Sequence, residues 1–340
     1  MCYPYPMNIM INRFLTLTLV AATAISGAAF LSSCSGSTKN NTETEKDKTE
    51  VSERKGHRGA PGIDKSGDVT LQAMIKEIVP KFSQQTYSVP GKEKSIEYNL
   101  YTPQNLENGK KYPLVLFIAD ASTAGKDVKV PLTQGYGALV WATDEWQAKN
   151  PCYVLVPQLA PGATNDDYQH SDEVDDLVGL VNKIVADNQV DSSRLYSTGQ
   201  SMGGMISMYY DVAYPDMFAA SIFVDSHWDA ATFPELVKHK FVWFIAGDGG
   251  KAYPKLKPLE EAAEAGGVQY TFSSWPASLP MARQDELAAV MLEKGAPVNI
   301  FEFETGSVLP EGVNAPDHMY SFDYAYRNSA VREWMFKQSK

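Results

Sequence analysis

The segment GQSMGG at positions 199–204 is the part of this chain whose residue types and spacing are best suited to chemistry. It contains the pattern G-x-S-x-G, in which one serine stands two positions from a glycine on either side. Small neighbours permit a tight turn that projects the serine hydroxyl outward. We therefore interpret Ser201 as a nucleophile. The helix that follows it would offer unpaired backbone N–H groups to a developing oxyanion.

The segments on either side of this motif have the character that such a turn requires. Positions 194–198 (RLYST) form a short run with strand character, and positions 202–214 have helical character and end at Pro215. A strand, a tight turn and a helix in succession are the context in which the motif carries a nucleophile. The alternative is a glycine-rich helix start that contains a serine by chance, and the flanking elements argue against it.

A serine nucleophile needs a general base, and the chain has five histidines. When the residues follow the order serine, acid, histidine, the base comes after the last strand, and His318 has that position. We predict His318 to be the base and keep His227, which follows the run at 219–224, as its rival. The other three histidines lie in polar or charged segments: His57, His170 and His239.

A carboxylate should orient the base and stabilise its cation. Asp248 follows the apolar run at 241–246 within a Gly-Asp-Gly turn, and we predict it to be this acid. The alternative is an aspartate that only caps the loop, as Asp-Gly sequences often do. Asp285 and Asp317 are rivals, because an additional strand and helix at 268–294 separate Asp248 from the candidate base.

The body of the chain alternates between apolar runs and amphipathic helical segments from Asp68 onward. This alternation predicts an α/β fold with a mostly parallel sheet and helices on both faces, preceded by an antiparallel hairpin around Pro90-Gly91. The predicted strands lie at 85–89, 95–101, 114–119, 153–156, 194–198, 219–224, 241–246, 268–273 and 298–303. The predicted helices lie at 69–79, 172–187, 202–214, 281–294 and 328–337.

The N-terminal region has the features of a secretory signal followed by a tether. Positions 14–31 are almost continuously apolar, small or hydroxylic and follow Arg13. The sequence Leu-Ser-Ser-Cys at 31–34 resembles the lipobox of bacterial lipoproteins, with Cys34 as the lipidated residue. An uncleaved anchor or a buried free cysteine is the alternative.

From this pattern we predict a signal peptide at 1–33, a disordered tether at 34–67 and one catalytic domain at 68–340. The tether has almost no large apolar residue with which to form a core. We expect a lipoprotein that is held to the membrane by its lipid alone and faces the periplasm or the cell exterior.

Composition excludes several classes of protein. The formal net charge is −11, and the chain has no basic stripe, which argues against nucleic acid as a partner. The three cysteines match neither a disulfide framework nor a zinc site, so we expect no metal and no cofactor. A hydrophobic content of 44% is typical of a globular enzyme rather than of a disordered chain.

From Tyr112 to the C-terminus, several blocks resemble the α/β-hydrolase superfamily. Within it, they resemble bacterial esterases and "predicted peptidases" related to polyhydroxybutyrate depolymerases and feruloyl esterases. The matching blocks are KYPLVLF (111–117), GALVWA (137–142), VLVPQ (154–158), DSSRLYSTGQSMGGM (191–205), YPDMFAA (214–220), FVWFIAGD (241–248), HMYSFDYAY (318–326) and VREWMF (331–336).

The resemblance implies Ser201 as nucleophile, Asp248 as acid, His318 as base and the Met202 N–H as one oxyanion donor. Such relatives usually have His-Gly after the first buried strand, where this chain has Ala119-Asp120. The second oxyanion donor would then be the N–H of Asp120 or Ala121. A carboxylate that faced the oxyanion would oppose it.

These features predict a serine hydrolase that cleaves carboxylic esters through an acyl-enzyme, with a small-molecule or polysaccharide-linked ester as substrate. Cleavage of peptide bonds by the same three residues is one alternative. A second alternative, motivated by Asp120, is a non-catalytic lipoprotein that binds a ligand in an inherited cleft. Aromatic walls for such a cleft would come from His227-Trp228, Tyr320 and Trp275.

Overall fold

The computed structural model of the protein describes residues 62–247 and 250–340. The predicted signal peptide, Cys34 and most of the predicted tether lie outside these residues, and so does Asp248. Within the described part, no helix is long and apolar enough to cross a membrane.

The described residues form one nine-stranded sheet with helices on both faces. The strands are β1 (Phe82–Ser88), β2 (Ser95–Tyr101), β3 (Tyr112–Ile118), β4 (Tyr153–Pro157), β5 (Val190–Gln200), β6 (Ala220–Val224), β7 (Phe241–Ile245), β8 (Tyr270–Trp275) and β9 (Val298–Phe303). The helices are α1 (Val69–Ile78), α2 (Val130–Thr133), α3 (Tyr136–Leu139), α4 (Asp144–Lys149), α5 (Asp172–Asp187), α6 (Met202–Ala213), α7 (Phe233–Leu236), α8 (Leu256–Ala265), α9 (Met281–Leu292), α10 (His318–Arg327) and α11 (Ser329–Phe336).

The order of strands in the sheet is β1-β2-β4-β3-β5-β6-β7-β9-β8. Strand β2 runs antiparallel to both of its neighbours, β1 and β4, whereas all pairs from β4 to β8 across the sheet are parallel. The predicted antiparallel hairpin and mostly parallel sheet are therefore confirmed. The additional strand β8 lies at the far edge, where it pairs only with β9.

Continuous apolar runs form the strands in the middle of the sheet. Every residue of β3 and β7 is buried, because helices cover both faces of a parallel sheet. Alternate residues of β3 contribute to different hydrophobic clusters: Val115 and Phe117 to one, Leu114 and Leu116 to the other. Strand β3, together with its neighbour β5, thus forms a rigid base for the loops at their carboxyl ends.

The C-terminal region differs from its prediction. The sequence predicts one closing helix after His318, but the structure has two, α10 and α11. Asn328 separates them and caps the second, because its Oδ1 accepts a hydrogen bond from the N–H of Val331 at 3.1 Å. His318 is therefore the first residue of a helix rather than part of a loop. Helix α8 and the short helices α2, α3, α4 and α7 are also absent from the sequence prediction.

The segment before α1 contacts the domain at Lys65, close to the predicted boundary at 67/68. The Lys65 ammonium lies 2.6 Å from the Asp323 carboxylate on α10, and the Lys65 carbonyl accepts a hydrogen bond from the Gln72 side chain at 3.1 Å. Composition alone marks this stretch as polar. The contact with Asp323, far along the chain, holds it to the fold.

Asp211 on α6 predicts an unusual dependence of stability on pH. Its carboxylate is buried against β6, where the Ser221 hydroxyl donates a hydrogen bond at 2.9 Å, and burial raises the pKa of Asp211 to about 8. The unfolded chain releases this proton near pH 4 and the folded chain near pH 8. The stabilising contribution is therefore complete below about pH 4 and declines as pH rises towards 8.

We expect the Asp211→Asn variant to lose less stability than the wild type between pH 5 and pH 8.5. The loss in free energy of unfolding between these pH values should be smaller in the variant by on the order of 3–5 kcal/mol, since one unit of pKa corresponds to about 1.4 kcal/mol. Urea unfolding of both proteins at the two pH values measures it. Identical pH dependence in the two proteins would show that Asp211 is ionised throughout.

Candidate active site

The serine of the G-x-S-x-G motif lies on a sharp turn between β5 and α6. Ser201 has φ 50° and ψ −120°, a backbone conformation that residues other than glycine rarely adopt. Its N–H donates to the carbonyl of Val224 at the end of β6, at 2.9 Å, which fixes the turn to the neighbouring strand. The surrounding structure therefore holds Ser201 in a strained backbone conformation that occurs in neither strands nor helices.

Two glycines of the motif make this turn possible. A Cβ atom on Gly203 would lie 1.9 Å from the carbonyl oxygen of Ile118 on β3. A Cβ atom on Gly199 would lie 2.2 Å from the backbone of Gly203. Strand and helix therefore approach so closely that any side chain at either position would collide with backbone, which is the packing that the motif predicts.

His318 contacts the serine hydroxyl directly. Its Nε2 lies 2.9 Å from the Oγ of Ser201, and its Nδ1 forms a short hydrogen bond with the carboxylate of Asp225. The His318 side chain is 34% exposed, whereas that of Asp225 is 1% exposed. The serine hydroxyl, the imidazole and a buried carboxylate therefore form a continuous hydrogen-bonded chain.

The carboxylate that binds the His318 imidazole is that of Asp225, which no sequence motif marks. Asp225 follows β6 directly and has φ 40°. Its N–H donates to the carbonyl of Phe244 on β7 at 2.8 Å, and its Oδ1 accepts from the N–H of Ala246, directly after β7, at 3.0 Å. Strand β7 therefore fixes its backbone, and the residue after that strand fixes its side chain. The predicted acid, Asp248, lies outside the described residues, and Asp225 occupies the position at Nδ1 that was assigned to it.

The two other carboxylates considered from the sequence have different contacts. Asp285 accepts hydrogen bonds from the N–H and the hydroxyl of Ser329, both at 2.7 Å, and so caps the start of α11. Asp317 accepts from the N–H of Gly306 at 2.6 Å. Both carboxylates therefore stabilise loops and helix ends.

The rival base, His227, lies in the same cleft but has another partner. Its Nε2 is 3.4 Å from the carboxylate of Asp166, and burial lowers the pKa of His227 although Asp166 opposes this effect. The imidazole that reaches Ser201 is that of His318, the predicted base.

The aromatic side chains proposed as cleft walls are placed differently. Trp275 is in the core, where its indole N–H lies 3.3 Å from the Gln284 side chain, and Trp228 is buried against Tyr168 and Tyr209. Of the proposed aromatic wall, His227 lines the cleft, whereas the described lining does not include Trp228, Trp275 or Tyr320.

The carboxylate of Asp120 is held by neighbouring donors. Oδ1 accepts from the N–H of Ser122 at 2.7 Å, and Oδ2 accepts from the side-chain amides of Gln200, at 2.9 Å, and Gln134. Both of its oxygens thus accept hydrogen bonds from the protein.

The backbone of Asp120 and Ala121 lies beside the serine turn, because Ile118 on β3 pairs with Gly199 on β5. Asp120 and Ala121 line the cleft together with Met202.

The cleft above Ser201 has a volume of about 460 Å³. Its wall contains both apolar side chains and hydrogen-bonding or charged groups. The apolar residues include Ala121, Ala124, Pro161, Met202 and Met205. The polar residues include Asn165, Asp166, His227 and Lys251, of which Asp166 and Lys251 form an ion pair at 2.5 Å.

One family model matches a part of this chain. The model of the prolyl oligopeptidase family matches residues 165–269, less than a third of the chain. This stretch contains Ser201 and Asp225 and ends before His318. No curated protein matches the chain at a significant level.

Solved structures with the same architecture include two esterases. A thermostable esterase is 24% identical, with a TM-score of 0.63 over 78% of this chain and 64% of the esterase, so the chain spans less than two-thirds of that protein. A variant of the feruloyl esterase module from Clostridium thermocellum, complexed with sinapinate, is 13% identical. Its TM-score is 0.51 over 75% of this chain and 87% of the module.

These structures share with this chain the arrangement of a mostly parallel sheet covered by helices. In this chain that sheet carries a serine on a sharp turn between a central strand and a helix. The chain therefore has the α/β-hydrolase fold that the sequence blocks indicate.

Proposed function

We propose that the protein is a serine hydrolase that cleaves carboxylic esters through an acyl-enzyme intermediate. The observation that carries this proposal is the hydrogen-bonded chain from Asp225 through His318 to Ser201. An imidazole within 2.9 Å of a serine hydroxyl, and oriented by a buried carboxylate, is the arrangement that activates serine for attack on a carbonyl. The esterases among the structural neighbours agree with this chemistry.

In the first half of the reaction, His318 Nε2 removes the proton from Ser201 Oγ as the oxygen attacks the acyl carbonyl. The carbonyl oxygen gains negative charge, and the N–H groups of Met202 and of Asp120 or Ala121 donate hydrogen bonds to it. Asp225 keeps the imidazole oriented and stabilises its positive charge. His318 then gives its proton to the leaving alkoxide, and the acyl group stays on Ser201.

In the second half, a water molecule replaces the alcohol. His318 removes a proton from this water, which attacks the acyl carbonyl, and the same backbone N–H groups stabilise the second oxyanion. The proton then returns from His318 to Ser201 Oγ as the carboxylic acid leaves. The proposed substrates are small-molecule or polysaccharide-linked esters. The polar wall formed by Asn165, Asp166, His227 and Lys251 offers hydrogen bonds to a substrate of this kind.

Peptide hydrolysis is a second candidate, because the prolyl oligopeptidase family model matches the part of the chain around Ser201. The same residues serve both reactions, but an amide leaves only when His318 protonates its nitrogen, whereas an ester makes a weaker demand. Parallel assays of the wild-type protein on short acyl esters and on small peptides separate the two candidates.

Labelling with a fluorophosphonate tests the proposal itself. This reagent forms a phosphonyl ester only with a serine that an adjacent base activates. We expect stoichiometric labelling at Ser201, located by peptide mass spectrometry, and no labelling after Ser201→Ala. A wild-type protein that resists the reagent would favour the non-catalytic, ligand-binding alternative.

We also propose that the protein is anchored to a membrane through lipid on Cys34, as the Leu-Ser-Ser-Cys sequence at 31–34 indicates. With Cys34→Ala, we expect the protein to leave the membrane fraction of the cell and to keep its specific activity on soluble esters. Fractionation followed by an activity assay of both fractions measures this. A variant that stays with the membrane would have an anchor other than lipid on Cys34.

A further inference from the structure

The carboxylate of Asp120 lies immediately behind the backbone that the proposed oxyanion hole requires. Asp120 is 2% exposed and follows strand β3. A carboxylate near a site where negative charge develops would normally oppose that charge. The hydrogen-bond donors around this carboxylate therefore decide whether it opposes an oxyanion.

Asp120 joins three segments of the chain. Its Oδ1 accepts from the N–H of Ser122 at 2.7 Å, within its own loop. Its Oδ2 accepts from Gln200, the residue before the serine, at 2.9 Å, and from Gln134, in the connection between α2 and α3. One carboxylate is therefore hydrogen-bonded to the loop after β3, to the turn after β5 and to a separate helical segment.

The contacts also explain how the charge is accommodated. A buried carboxylate is costly unless hydrogen-bond donors surround it, and the three donors here are N–H groups without formal charge. These donors occupy both oxygens. These hydrogen bonds stabilise the negative charge, and the N–H groups of Asp120 and Ala121, the candidate oxyanion donors, are not among them.

The loop itself is tightly folded around the same residue. The carbonyl of Asp120 accepts from the N–H of Thr123 at 3.2 Å and from its hydroxyl at 2.9 Å. Gln200 is likewise 2% exposed, so its side chain has a fixed direction. The hydrogen bond between Asp120 and Gln200 therefore joins loop 120–122 directly to turn 200–202.

We propose that Asp120 is a positioning residue that sets the spacing between the two halves of the oxyanion hole. One half is the backbone of loop 120–122 and the other is the N–H of Met202. This inference rests on the proposed function, because it concerns the same reaction. Hydrogen bonds to an oxyanion act in the transition state, so a change in spacing lowers kcat and leaves KM nearly unchanged.

The test begins with Asp120→Asn, which keeps the shape of the side chain but replaces one acceptor oxygen with an NH₂ group. Either orientation of this amide sets its NH₂ group against a donor, whether the side-chain amides of Gln134 and Gln200 or the Ser122 N–H. We expect kcat for a short acyl ester to fall about 10–100-fold and KM to change less than about two-fold. The rate of fluorophosphonate labelling should fall in parallel with kcat.

A second substitution should restore the contact. In the double variant Asp120→Asn with Gln200→Glu, the carboxylate is at position 200 and the amide at position 120, so donor and acceptor are exchanged. We expect it to recover at least a third of the lost kcat, whereas Gln200→Glu alone sets two carboxylates together and is slower than wild type. This non-additivity is the signature of a direct interaction.

Asp127→Asn is the matched control, because Asp127 is an exposed aspartate whose Oδ1 accepts from a backbone N–H two residues on, that of Lys129, at 2.9 Å. It should keep wild-type kcat. If Asp120→Asn does not fold, Gln134→Met removes one donor to the same carboxylate. It should lower kcat about 3–10-fold at unchanged KM, because a small displacement of the oxyanion donors weakens their hydrogen bonds in the transition state.

The outcomes separate the two proposals. An inactive, unlabelled wild-type protein overturns the proposed function and this inference with it. An active wild type accompanied by folded Asp120→Asn or Gln134→Met variants of unchanged kcat overturns only the positioning role. A loss of kcat in Asp120→Asn that the exchange at position 200 does not relieve also overturns it.

Discussion

Replacing Ser201 with alanine should reduce ester turnover by about 10⁴–10⁶-fold, because the attacking oxygen is absent and the remaining groups only bind substrate and polarise its carbonyl. The effect should appear in kcat. The change removes one oxygen atom, and alanine has the same backbone requirements as serine at φ 50°. We therefore expect the variant to unfold within a few degrees of the wild-type temperature.

The measurement compares initial rates on a chromogenic short acyl ester with thermal unfolding of the same samples. Ser83→Ala is a suitable control, because Ser83 is an exposed serine on edge strand β1. Its hydroxyl donates to the carbonyl of Leu100 at 3.1 Å and accepts from the side-chain amide of Gln85 at 2.9 Å. It should retain wild-type activity. Turnover near the wild-type rate in Ser201→Ala would exclude this serine as the nucleophile.

The turn that carries Ser201 was predictable because its causes are local. The glycines at 199 and 203 are needed where strand and helix nearly touch, and both lie within four residues of each other in the sequence. The positions of most strands were predictable for a related reason. A strand that is buried on both faces, such as β3 or β7, needs a continuous run of apolar residues, and such a run is visible in the sequence.

The acid was not predictable in this way, because its identity depends on the order of strands in the sheet. Asp225 and Asp248 both follow an apolar strand and both lie between Ser201 and His318 in the chain. Only the sheet shows that β6 is the strand adjacent to β5, so that Asp225 ends beside the serine turn. The available signal was a carboxylate directly after an apolar run, in the sequence FVDSH.

The environment of Asp120 depends on contacts over longer distances. Its partners Gln134 and Gln200 are 14 and 80 residues away in the chain. No local pattern marks Gln134, and Gln200 occupies a variable position of the G-x-S-x-G motif. The sequence therefore predicts a conflict between a carboxylate and an oxyanion. The fold removes that conflict by supplying donors from two distant segments.

The identity of the acid gives the second large effect. Replacing Asp225 with asparagine should lower kcat by about 10⁴-fold. The asparagine amide can donate a hydrogen bond to His318 Nδ1, which favours the tautomer with its proton on Nε2. That nitrogen can then no longer accept the proton of Ser201 Oγ. The side chain keeps its size, and its oxygen can still accept the hydrogen bond from the N–H of Ala246, so folding should be retained.

Two further variants make the assignment decisive. Asp229→Asn alters a half-buried residue of the same connection and should keep full activity. Asp229 caps a short helical turn by accepting from the N–H of Ala231 at 3.0 Å. Asp248→Asn tests the acid predicted from the sequence alone. If the hydrogen bonds from Asp225 through His318 to Ser201 operate in solution, Asp225→Asn loses activity and Asp248→Asn keeps most of it. The reverse result would mean that Asp248 replaces Asp225 at the imidazole during catalysis.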